Sequence, residues 1–262
     1  MSSLKTSSGS SSRTALKPGE DMRLNRFLAS CGLGSRRKVE ELIAAGQISV
    51  NGEVCTDLAR RVDPEKDEVC HQGKGLKLPS EKVYLVLNKP RGYVVSHQDE
   101  LQRSTIYELL PESASNLRYA GRLDKNSEGL LLLTNDGELI NRLTHPTHKV
   151  EKVYRVDVDR RLSQRQLEEL RRGVLIDGGL THSAGVYVKS ETSGGMTLRL
   201  VITEGRKRQI RQMIEAVGAK VRLLRRLQFG PLKLKDLPSG RWRPLTTAEL
   251  NALKYVTESN QR

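Results

Sequence analysis

The sequence has few aromatic residues and few cysteines. Its 262 residues include one Trp, two Phe and seven Tyr, or 4% aromatic residues, which argues against binding single-stranded nucleic acid on a platform of stacked rings. The three cysteines, Cys31, Cys55 and Cys70, form no C-x-x-C pair. An odd, widely spaced set suits a reducing compartment better than a disulfide framework. We therefore expect a cytoplasmic protein whose binding depends on charge and shape.

The sequence also lacks a membrane-length apolar run and a cluster of metal ligands. No apolar stretch approaches the length that crosses a bilayer. His145 and His148 form an H-x-x-H pattern, but Pro146 lies between them and no carboxylate or thiol cluster accompanies them. A structural role for these histidines is favoured over metal ligation. The sequence predicts neither a membrane span nor a metal site.

Acidic residues are outnumbered by basic ones. The chain has 45 Lys and Arg residues against 31 Asp and Glu residues, a formal net charge of +14. Such an excess favours a polyanionic partner, because each phosphate neutralised by a cation releases bound counterions. Nucleic acid is the leading class of partner, while charge alone leaves open a basic protein whose cations only aid solubility.

Composition predicts four segments. Residues 1–21 form a Ser-rich arm with seven Ser in its first twelve positions, and it has too few apolar side chains to offset the entropy lost on ordering. Residues 22–80 have the pattern of a small folded module, and residues 81–256 that of a larger domain. Residues 257–262 are expected to be a flexible tail.

The first module has the pattern of two helices and a hairpin. Apolar residues recur at helical spacing over residues 24–31, and Ser35 is placed to cap a second helix over residues 36–45. Residues 48–54 then alternate around Asn51-Gly52, a turn signal typical of a β-hairpin.

The larger domain is dominated by strand-like alternation. Ser163 and Gln166 predict a capping box at the start of one helix, and residues 210–217 predict another helix. Strands with few helices and no regular β-α-β alternation indicate an α+β domain with a mixed, mostly antiparallel central sheet flanked by helices. The predicted strands are Tyr84–Leu87, Tyr93–Val95, Leu130–Leu133, Val153–Val158, Val186–Val188 and Leu198–Ile202.

Two groups of cations open predicted helices. Arg36, Arg37 and Lys38 follow the Ser35 cap, where the positive end of the helix dipole disfavours cations by roughly 0.3–1 kcal/mol each. Residues 205–226 carry a net charge of +7 and include Arg206, Lys207 and Arg208. Cations at a helix N-terminus make an anion site, and phosphate is the obvious anion. A solvated charge run is the alternative for each group.

One acid stands among these cations. Asp124 lies between Arg122 and Lys125, just before a fully apolar strand. Nearby cations favour its ionised form, and a carboxylate held ionised beside an RNA-binding surface can act as a nucleophile. An Asx-turn or a loop salt bridge is the alternative role.

Four ordered motifs resemble a known family. The segment GRLDKNSEGLLLLTNDG at 121–137 resembles the catalytic motif of bacterial rRNA pseudouridine synthases of the RsuA/RluB type. The segments VLNKPRGYVVS at 86–96, KVEKVYRVDV at 149–158 and EGRKRQIRQMIEAVG at 204–218 follow the same family's order, and residues 23–54 resemble its S-four-like RNA-binding module. The resemblance covers about residues 22–255.

The resemblance implies the isomerisation of a chosen uridine to pseudouridine without a cofactor. The bond from the uracil ring nitrogen to ribose breaks, the base turns, and carbon five bonds to the ribose. By motif match, Asp124 is the catalytic carboxylate, attacking either the anomeric carbon or the uracil ring. Tyr154 matches the tyrosine that stacks on the flipped base and helps remove the proton from carbon five. Arg211 matches the basic residue that pairs with the aspartate.

The implied partner is ribosomal RNA, as a structured stem-loop or within an assembly intermediate, and the protein is expected to be a monomer. The RQIR wording of the last motif favours large-subunit rRNA; small-subunit rRNA and a non-catalytic role in ribosome assembly stay as alternatives. A DNA-binding function lacks a recognition motif. Lys89 and Arg91 are expected to contact flanking phosphates, with solvated turn charges as their alternative. The predicted RNA-binding residues are Arg36, Arg37, Lys38, Lys89, Arg91, Arg122, Arg206, Lys207 and Arg208.

Overall fold

A computed structural model describes residues 21–97 and 99–259 of the chain. Almost all of the predicted Ser-rich arm therefore lies outside the described residues. Contacts divide the chain into two compact units, with the division between Glu81 and Lys82. This position is one residue beyond the boundary predicted from composition.

The first unit contains two helices and short strands. Strands β2 and β5 are central in a sheet of order β3-β2-β5-β6, and β1 pairs with β4. Its elements are β1 (Met22–Arg23), α1 (Leu24–Ser30), α2 (Arg36–Ala44), β2 (Ile48–Val50), β3 (Glu53–Val54), β4 (Arg61–Val62), β5 (Val69–His71) and β6 (Lys74–Gly75).

Local sequence signals account for this unit. The Ser35 side chain accepts a hydrogen bond from the Lys38 amide and caps α2. Asn51 and Gly52 both have positive φ, at 54° and 85°, as the tight turn between β2 and β3 requires. The apolar faces of the two helices pack with β2 into one core that includes Phe27 and Ile43. The predicted order of helix, helix and hairpin is confirmed.

The second unit is built on a nine-stranded sheet within the described residues. Its main path runs β13-β14-β10-β15-β9-β7-β17, while β8 pairs with β9 and β16 with β15. The nine strands are β7 (Tyr84–Lys89), β8 (Arg118–Ala120), β9 (Glu128–Thr134), β10 (Lys152–Val158), β13 (Gly185–Thr192), β14 (Gly195–Ile202), β15 (Val221–Phe229), β16 (Leu232–Lys233) and β17 (Trp242–Pro244). Strands β11 (Leu175–Ile176) and β12 (Gly179–Leu180) pair with each other in a separate two-stranded sheet. Its helices are α3 (Gly137–Thr144), α4 (Gln164–Arg172), α5 (Gln209–Ala216) and α6 (Thr247–Ser259), with short 3-10 helices at Ile106–Leu109, Glu112–Ala114 and Pro146–His148.

Helices lie on both faces of this sheet. Apolar residues of α4 and α5 pack with β10 and β14 in one core cluster. Leu139 and Leu143 of α3 and Leu253 of α6 pack with β7 and β9 in another cluster. The pairing of β9 with β15 is parallel, and the other strand pairs that the structure describes are antiparallel. The predicted mixed, mostly antiparallel sheet flanked by helices is confirmed.

Three sequence predictions need correction. Residues 93–95 are not a strand: Val94 makes a single bridge to Thr105, and the apolar side chains there pack as a loop against the core. The tail predicted from residue 257 is wrong for its first part, because α6 continues to Ser259; residues 260–262 lie outside the described residues. Helix α5 begins at Gln209, after an Arg208 N-cap in the left-handed conformation, and not at Arg206.

Candidate active site

The loop between β8 and β9 carries Asp124 and is held through its backbone carbonyl groups. The Asp124 carbonyl accepts a hydrogen bond from the Ser127 amide at 3.0 Å, and the Lys125 carbonyl accepts one from the Gly92 amide at 2.9 Å. Side chains of more distant residues reach the remaining carbonyls. Each residue from Asp124 to Ser127 has its carbonyl occupied, so the backbone leaves the Asp124 carboxylate free to face a reactant.

Lys89, at the end of β7, is the centre of this arrangement. Its Nζ donates to the carbonyls of Ser127 at 2.8 Å and Asp124 at 3.2 Å, with a longer contact to Lys125 at 3.5 Å. The side chain is 0% exposed. The prediction that Lys89 contacts phosphate is therefore wrong, because its ammonium group is enclosed by the carbonyls of the Asp124 loop.

Burial also changes the acidity of this lysine. Desolvation lowers the pKa of Lys89 to about 8, and the nearby carboxylates of Asp124 and Glu128 partly oppose the change. The negative charge of the Asp124 carboxylate therefore acts on the Lys89 ammonium group. Lys89 thus orders the loop and supplies a positive charge beneath it.

Gly129 permits a close approach of two strands directly after the loop. Its φ is +106°, and a Cβ at this position would lie 2.7 Å from the Arg226 amide nitrogen and closer still to the Arg226 carbonyl oxygen. This is where β9 and β15 pair in parallel, with Gly129 opposite Arg226. A side chain here would push the strands apart, so the glycine fixes the end of the Asp124 loop against β15.

Strand register aligns Tyr154 with this point. In one row across the sheet, Lys89 is opposite Gly129, Gly129 is opposite Arg226, and Arg226 is opposite Tyr154. The β10–β15 register shifts between Val153 and Tyr154, a bulge of the kind that re-aims side chains near active sites. Tyr154 is 8% exposed, and its hydroxyl makes no hydrogen bond to the described residues. The register therefore places Tyr154 two strands away from Gly129, which follows the Asp124 loop.

Arg211 joins the site from α5, but not as predicted. Its Nη2 donates to the Asn126 carbonyl at 3.0 Å and its Nη1 to the Val221 carbonyl at 3.5 Å. Among the described residues it forms no ion pair with Asp124 within 4.0 Å, so the expected bidentate pairing is absent. Arg211 is 7% exposed, and its buried Nε has no hydrogen-bond partner among the described residues. It instead holds the loop by a carbonyl two residues beyond Asp124.

The electrostatic surroundings of Arg211 are those of a crowded cationic site. Burial lowers its pKa, neighbouring Arg208 and Arg91 lower it further, and Asp124 opposes them. Arg91, Arg208 and Arg122 are exposed. Asp124 itself is half-buried. The aspartate thus lies near two buried cations, Lys89 and Arg211, and exposed arginines lie close by, an arrangement suited to an RNA phosphate on either side of a target nucleotide.

Comparison with known proteins decides the family. Residues 83–216 match the RNA pseudouridylate synthase family, and residues 22–69 match the S4 domain family. The chain belongs to the RNA pseudouridylate synthase family. The resemblance drawn from the four motifs and the S-four-like module is confirmed, and the chain is an RNA pseudouridine synthase.

Alignments with related proteins cover nearly the whole chain. An uncharacterised RNA pseudouridine synthase of Aquifex aeolicus (strain VF5) is 39% identical over 243 residues, covering 90% of this chain and 97% of the relative. Ribosomal large subunit pseudouridine synthase B of Bacillus subtilis (strain 168) is 37% identical over 239 residues, covering 90% and 97%. A crystal structure of a pseudouridylate synthase superposes with a TM-score of 0.64 at 32% identity, covering 88% of this chain and 99% of that one.

The predicted RNA-binding residues of the synthase divide into exposed and enclosed groups. Arg36, Arg37 and Lys38 are exposed in the first turn of α2, where Lys38 also pairs with Glu41 at 3.1 Å. Lys207 is exposed, as are Arg91, Arg122 and Arg208. Of the nine predicted RNA-binding residues, these seven are exposed, whereas Lys89 is buried and Arg206 is partly buried.

Arg206 is partly buried. Its guanidinium pairs with Glu204 at 3.1 Å and donates to the carbonyls of Gly179 at 2.9 Å and Leu180 at 2.8 Å. These contacts hold the β11–β12 turn and occupy its nitrogen donors. RNA binding by Arg206 stays a prediction: the side chain is 28% exposed, but its donors already bind oxygen atoms of its own unit.

Sequence reasoning missed Gly129 and Arg226. Gly129 lies inside the quoted catalytic motif, and a glycine that interrupts an apolar strand signals close approach of another backbone. Arg226 is 3% exposed and donates from Nε to the Leu130 carbonyl at 2.7 Å. The sequence did not reveal it, because the arginines within residues 221–229 interrupt the apolar pattern that a buried strand would have.

No helix in the described part of the synthase is long and apolar enough to cross a membrane.

Proposed function

We propose that this synthase isomerises a specific uridine of ribosomal RNA, with large-subunit rRNA favoured, and that Asp124 is its catalytic carboxylate. The observation that carries the proposal is the Asp124 loop, whose four carbonyls are occupied while its carboxylate is not bound by any side chain within ion-pair distance in the described residues. A rigid loop with a free carboxylate is the arrangement a nucleophile needs.

The proposed reaction begins with extrusion of the uridine from its stack. Flipping costs a few kcal/mol, which cationic contacts to the neighbouring phosphates at Arg91, Arg122 and Arg208 offset. The Asp124 carboxylate then attacks the anomeric ribose carbon or the uracil ring, and the bond between ring nitrogen one and ribose breaks. Carbon five then bonds to the ribose, and the bond to Asp124 breaks and returns the free carboxylate. The proton lost from carbon five is balanced by the one gained at nitrogen one.

Tyr154 and Arg211 have separate proposed roles. The Tyr154 ring forms a wall of the site and stacks on the flipped uracil, and its hydroxyl, which lacks an internal partner, takes part in removing the proton from carbon five. Arg211 positions Asp124 by holding the Asn126 carbonyl and supplies positive charge close to the carboxylate. No cofactor is needed for an isomerisation in which the leaving and entering groups are the same base.

The choice of large-subunit rRNA is supported by a relative. The Bacillus subtilis protein named ribosomal large subunit pseudouridine synthase B is 37% identical to this chain, and the alignment covers 97% of the Bacillus protein. The exposed cations of the S4 domain, Arg36, Arg37 and Lys38, are proposed to dock a structured stem-loop. We propose that the synthase acts as a monomer, on free rRNA or on an assembly intermediate.

The test compares defined RNA substrates. Purified protein is incubated with protein-free large-subunit rRNA, with small-subunit rRNA and with ribosome-assembly intermediates, and new pseudouridines are mapped at nucleotide resolution. The proposal predicts one new pseudouridine in large-subunit rRNA. Modification confined to small-subunit rRNA would contradict the target, and no modification of any rRNA with intact Asp124 would contradict the ribosomal assignment.

A further inference from the structure

Three arginines stand side by side on one face of the second unit's sheet. The register places Arg199 of β14 opposite Arg155 of β10, and Arg155 opposite Arg225 of β15. The same row continues to Tyr187 of β13 at one end and to Glu128 of β9 at the other. Residues paired across neighbouring strands project from the same face of a sheet. We call Arg199, Arg155 and Arg225 the arginine row.

The arginine row lies one residue from the Lys89–Tyr154 row and on the opposite face. Tyr154, in the active-site row, packs in the core cluster with α4 and α5, and side chains alternate between faces along a strand. The face with the arginines is open here: Arg155 is 52% exposed and Tyr187 is 52% exposed. The row is therefore a surface distinct from the active site.

The arginines are poorly compensated by acids. Arg155 pairs with Asp157 at 3.0 Å. Arg199 has a cation–π contact with the Tyr187 ring at 5.5 Å, and the Arg225 Nε is buried without a partner. Neither Arg199 nor Arg225 has an ion pair within 4.0 Å or a hydrogen bond from its side chain among the described residues. Asp157 and, at the end of the row, Glu128 compensate part of this charge, but like charges directly opposite each other destabilise a sheet.

A groove beside the row adds further positive charge. It has a volume of about 400 Å³, and its lining includes Arg199, Arg225, Lys233 and Lys235 together with the neutral Gln228. No carboxylate lines it. The Gln228 amide donates to the Gly230 carbonyl at 2.8 Å. Four cations around one groove, with no acid in its lining, fit a run of phosphate oxygens.

We propose that the arginine row and this groove bind the sugar-phosphate backbone of the substrate RNA, in a segment outside the target loop. The proposal rests on RNA as the substrate of the synthase and extends it to a second contact surface of the catalytic unit. Binding is independent of base sequence, because guanidinium and ammonium groups here meet phosphates and not base edges. The anion would relieve the repulsion that the three arginines impose on one another.

The test measures how RNA binding depends on salt. The probe is a long RNA duplex of arbitrary sequence without the target uridine, and the variant is Arg199→Gln with Arg225→Gln. Loss of two phosphate contacts is expected to reduce the slope of log Kd against log salt concentration by about 1 to 2 units. Because binding requires no turnover and no target site, the result does not depend on the role of Asp124 or on which rRNA is modified.

Two further variants separate charge from structure. Arg161→Gln with Arg172→Gln removes the same charge from exposed, ion-paired arginines of the same unit and should keep the wild-type slope. Arg199→Lys with Arg225→Lys keeps the charge and should also keep the slope. If the Arg199→Gln, Arg225→Gln variant keeps the wild-type slope, the proposal is overturned. An acidic protein would then be the remaining candidate partner for this surface. Loss of slope in the lysine variant would overturn it as well, because the cause would then be altered structure.

Discussion

The ammonium group of Lys89 hydrogen-bonds the backbone carbonyl of Asp124 at 3.2 Å. The two residues are 35 positions apart, and β7 and β9 bring them together because Lys89 is opposite Gly129 in the sheet. The contact is made to the carbonyl and leaves the carboxylate available. A lysine that sequence alone assigns to the RNA surface is thus part of the support beneath the Asp124 loop.

Removal of this support should lower both stability and turnover. Lys89→Met removes the donor to the Ser127 carbonyl and one of the two donors to the Asp124 carbonyl, and an unsatisfied buried acceptor costs about 1–3 kcal/mol. We expect a comparable loss in the free energy of unfolding, measured by urea titration. The matched control is Lys125→Met in the same loop, where the side chain is exposed and the change should be within about 0.5 kcal/mol.

The pH dependence of stability in wild type and in Lys89→Met tests the lowered pKa of Lys89. The pKa of Lys89 is about 8 in the folded chain against an ordinary value of 10.5, so between these values the unfolded chain binds more protons. The Lys89 contribution to the unfolding free energy therefore rises with pH in this window. The stability gap between wild type and Lys89→Met should widen from pH 8 to pH 9.5. A gap that is constant or narrows over this range would contradict the burial-lowered pKa.

Gly129→Ala should be severely destabilising. The added Cβ would collide with the Arg226 backbone, and its positive φ of 106° is strained for alanine. We expect a loss of about 3 kcal/mol or more from combined strain and overpacking, measured by thermal or urea unfolding. Gly205→Ala is the matched control, since no atom lies within 4 Å of a Cβ there. If the two substitutions lowered stability equally, the claim that Gly129 is required for the close approach of β9 and β15 would be contradicted.

Tyr154→Phe separates the ring from the hydroxyl. The ring is buried in the core and the hydroxyl makes no hydrogen bond to the described residues, so stability and RNA affinity should change little. Turnover should fall by about 100-fold if the hydroxyl takes part in proton removal, as measured by single-turnover pseudouridine formation. Tyr255→Phe, on an exposed tyrosine of the same unit, is the control. Full activity of Tyr154→Phe would leave the hydroxyl without a chemical role.

The cations of α2 should contribute to binding and not to chemistry. Replacing Arg36, Arg37 and Lys38 with Ala should reduce the slope of log Kd against log salt by about 2 to 3 units. It should also stabilise the S4 domain slightly, because cations oppose the helix dipole at this end. The control removes the same charge at the exposed lysines Lys66, Lys74 and Lys77. An unaltered salt slope for the α2 variant would exclude this helix from the RNA contact.

Local features were predictable from sequence because their causes are local. The Ser35 cap, the Asn51-Gly52 turn and the capping box of Ser163 and Gln166 each depend on residues within a few positions, and all three are as predicted. The segment around Asp124 could also be recognised from the sequence, since Asp124 and its flanking cations are contiguous; its catalytic role stays a prediction. These features need no knowledge of strand pairing.

Features that depend on register were not predictable. Lys89 and Arg206 look like free surface cations, but their donors bind carbonyls that lie far away in sequence. Arg211 carries the right charge, but the carbonyl it binds is set by the position of α5 against the loop. The arginine row exists only because three separate strands pair with one particular register. Charge can be counted in a sequence, whereas the contacts that use it depend on the fold.

The most direct test of the account is the rate of pseudouridine formation by Asp124→Asn on large-subunit rRNA. The substitution nearly preserves shape, and the loop is held through carbonyls that asparagine retains, so the variant should fold and bind RNA like wild type. The control Asp236→Asn removes an exposed carboxylate of the same unit and should be fully active. We predict a loss of about a thousandfold or more for Asp124→Asn. A rate equal to wild type would contradict the assignment of Asp124 as the catalytic residue.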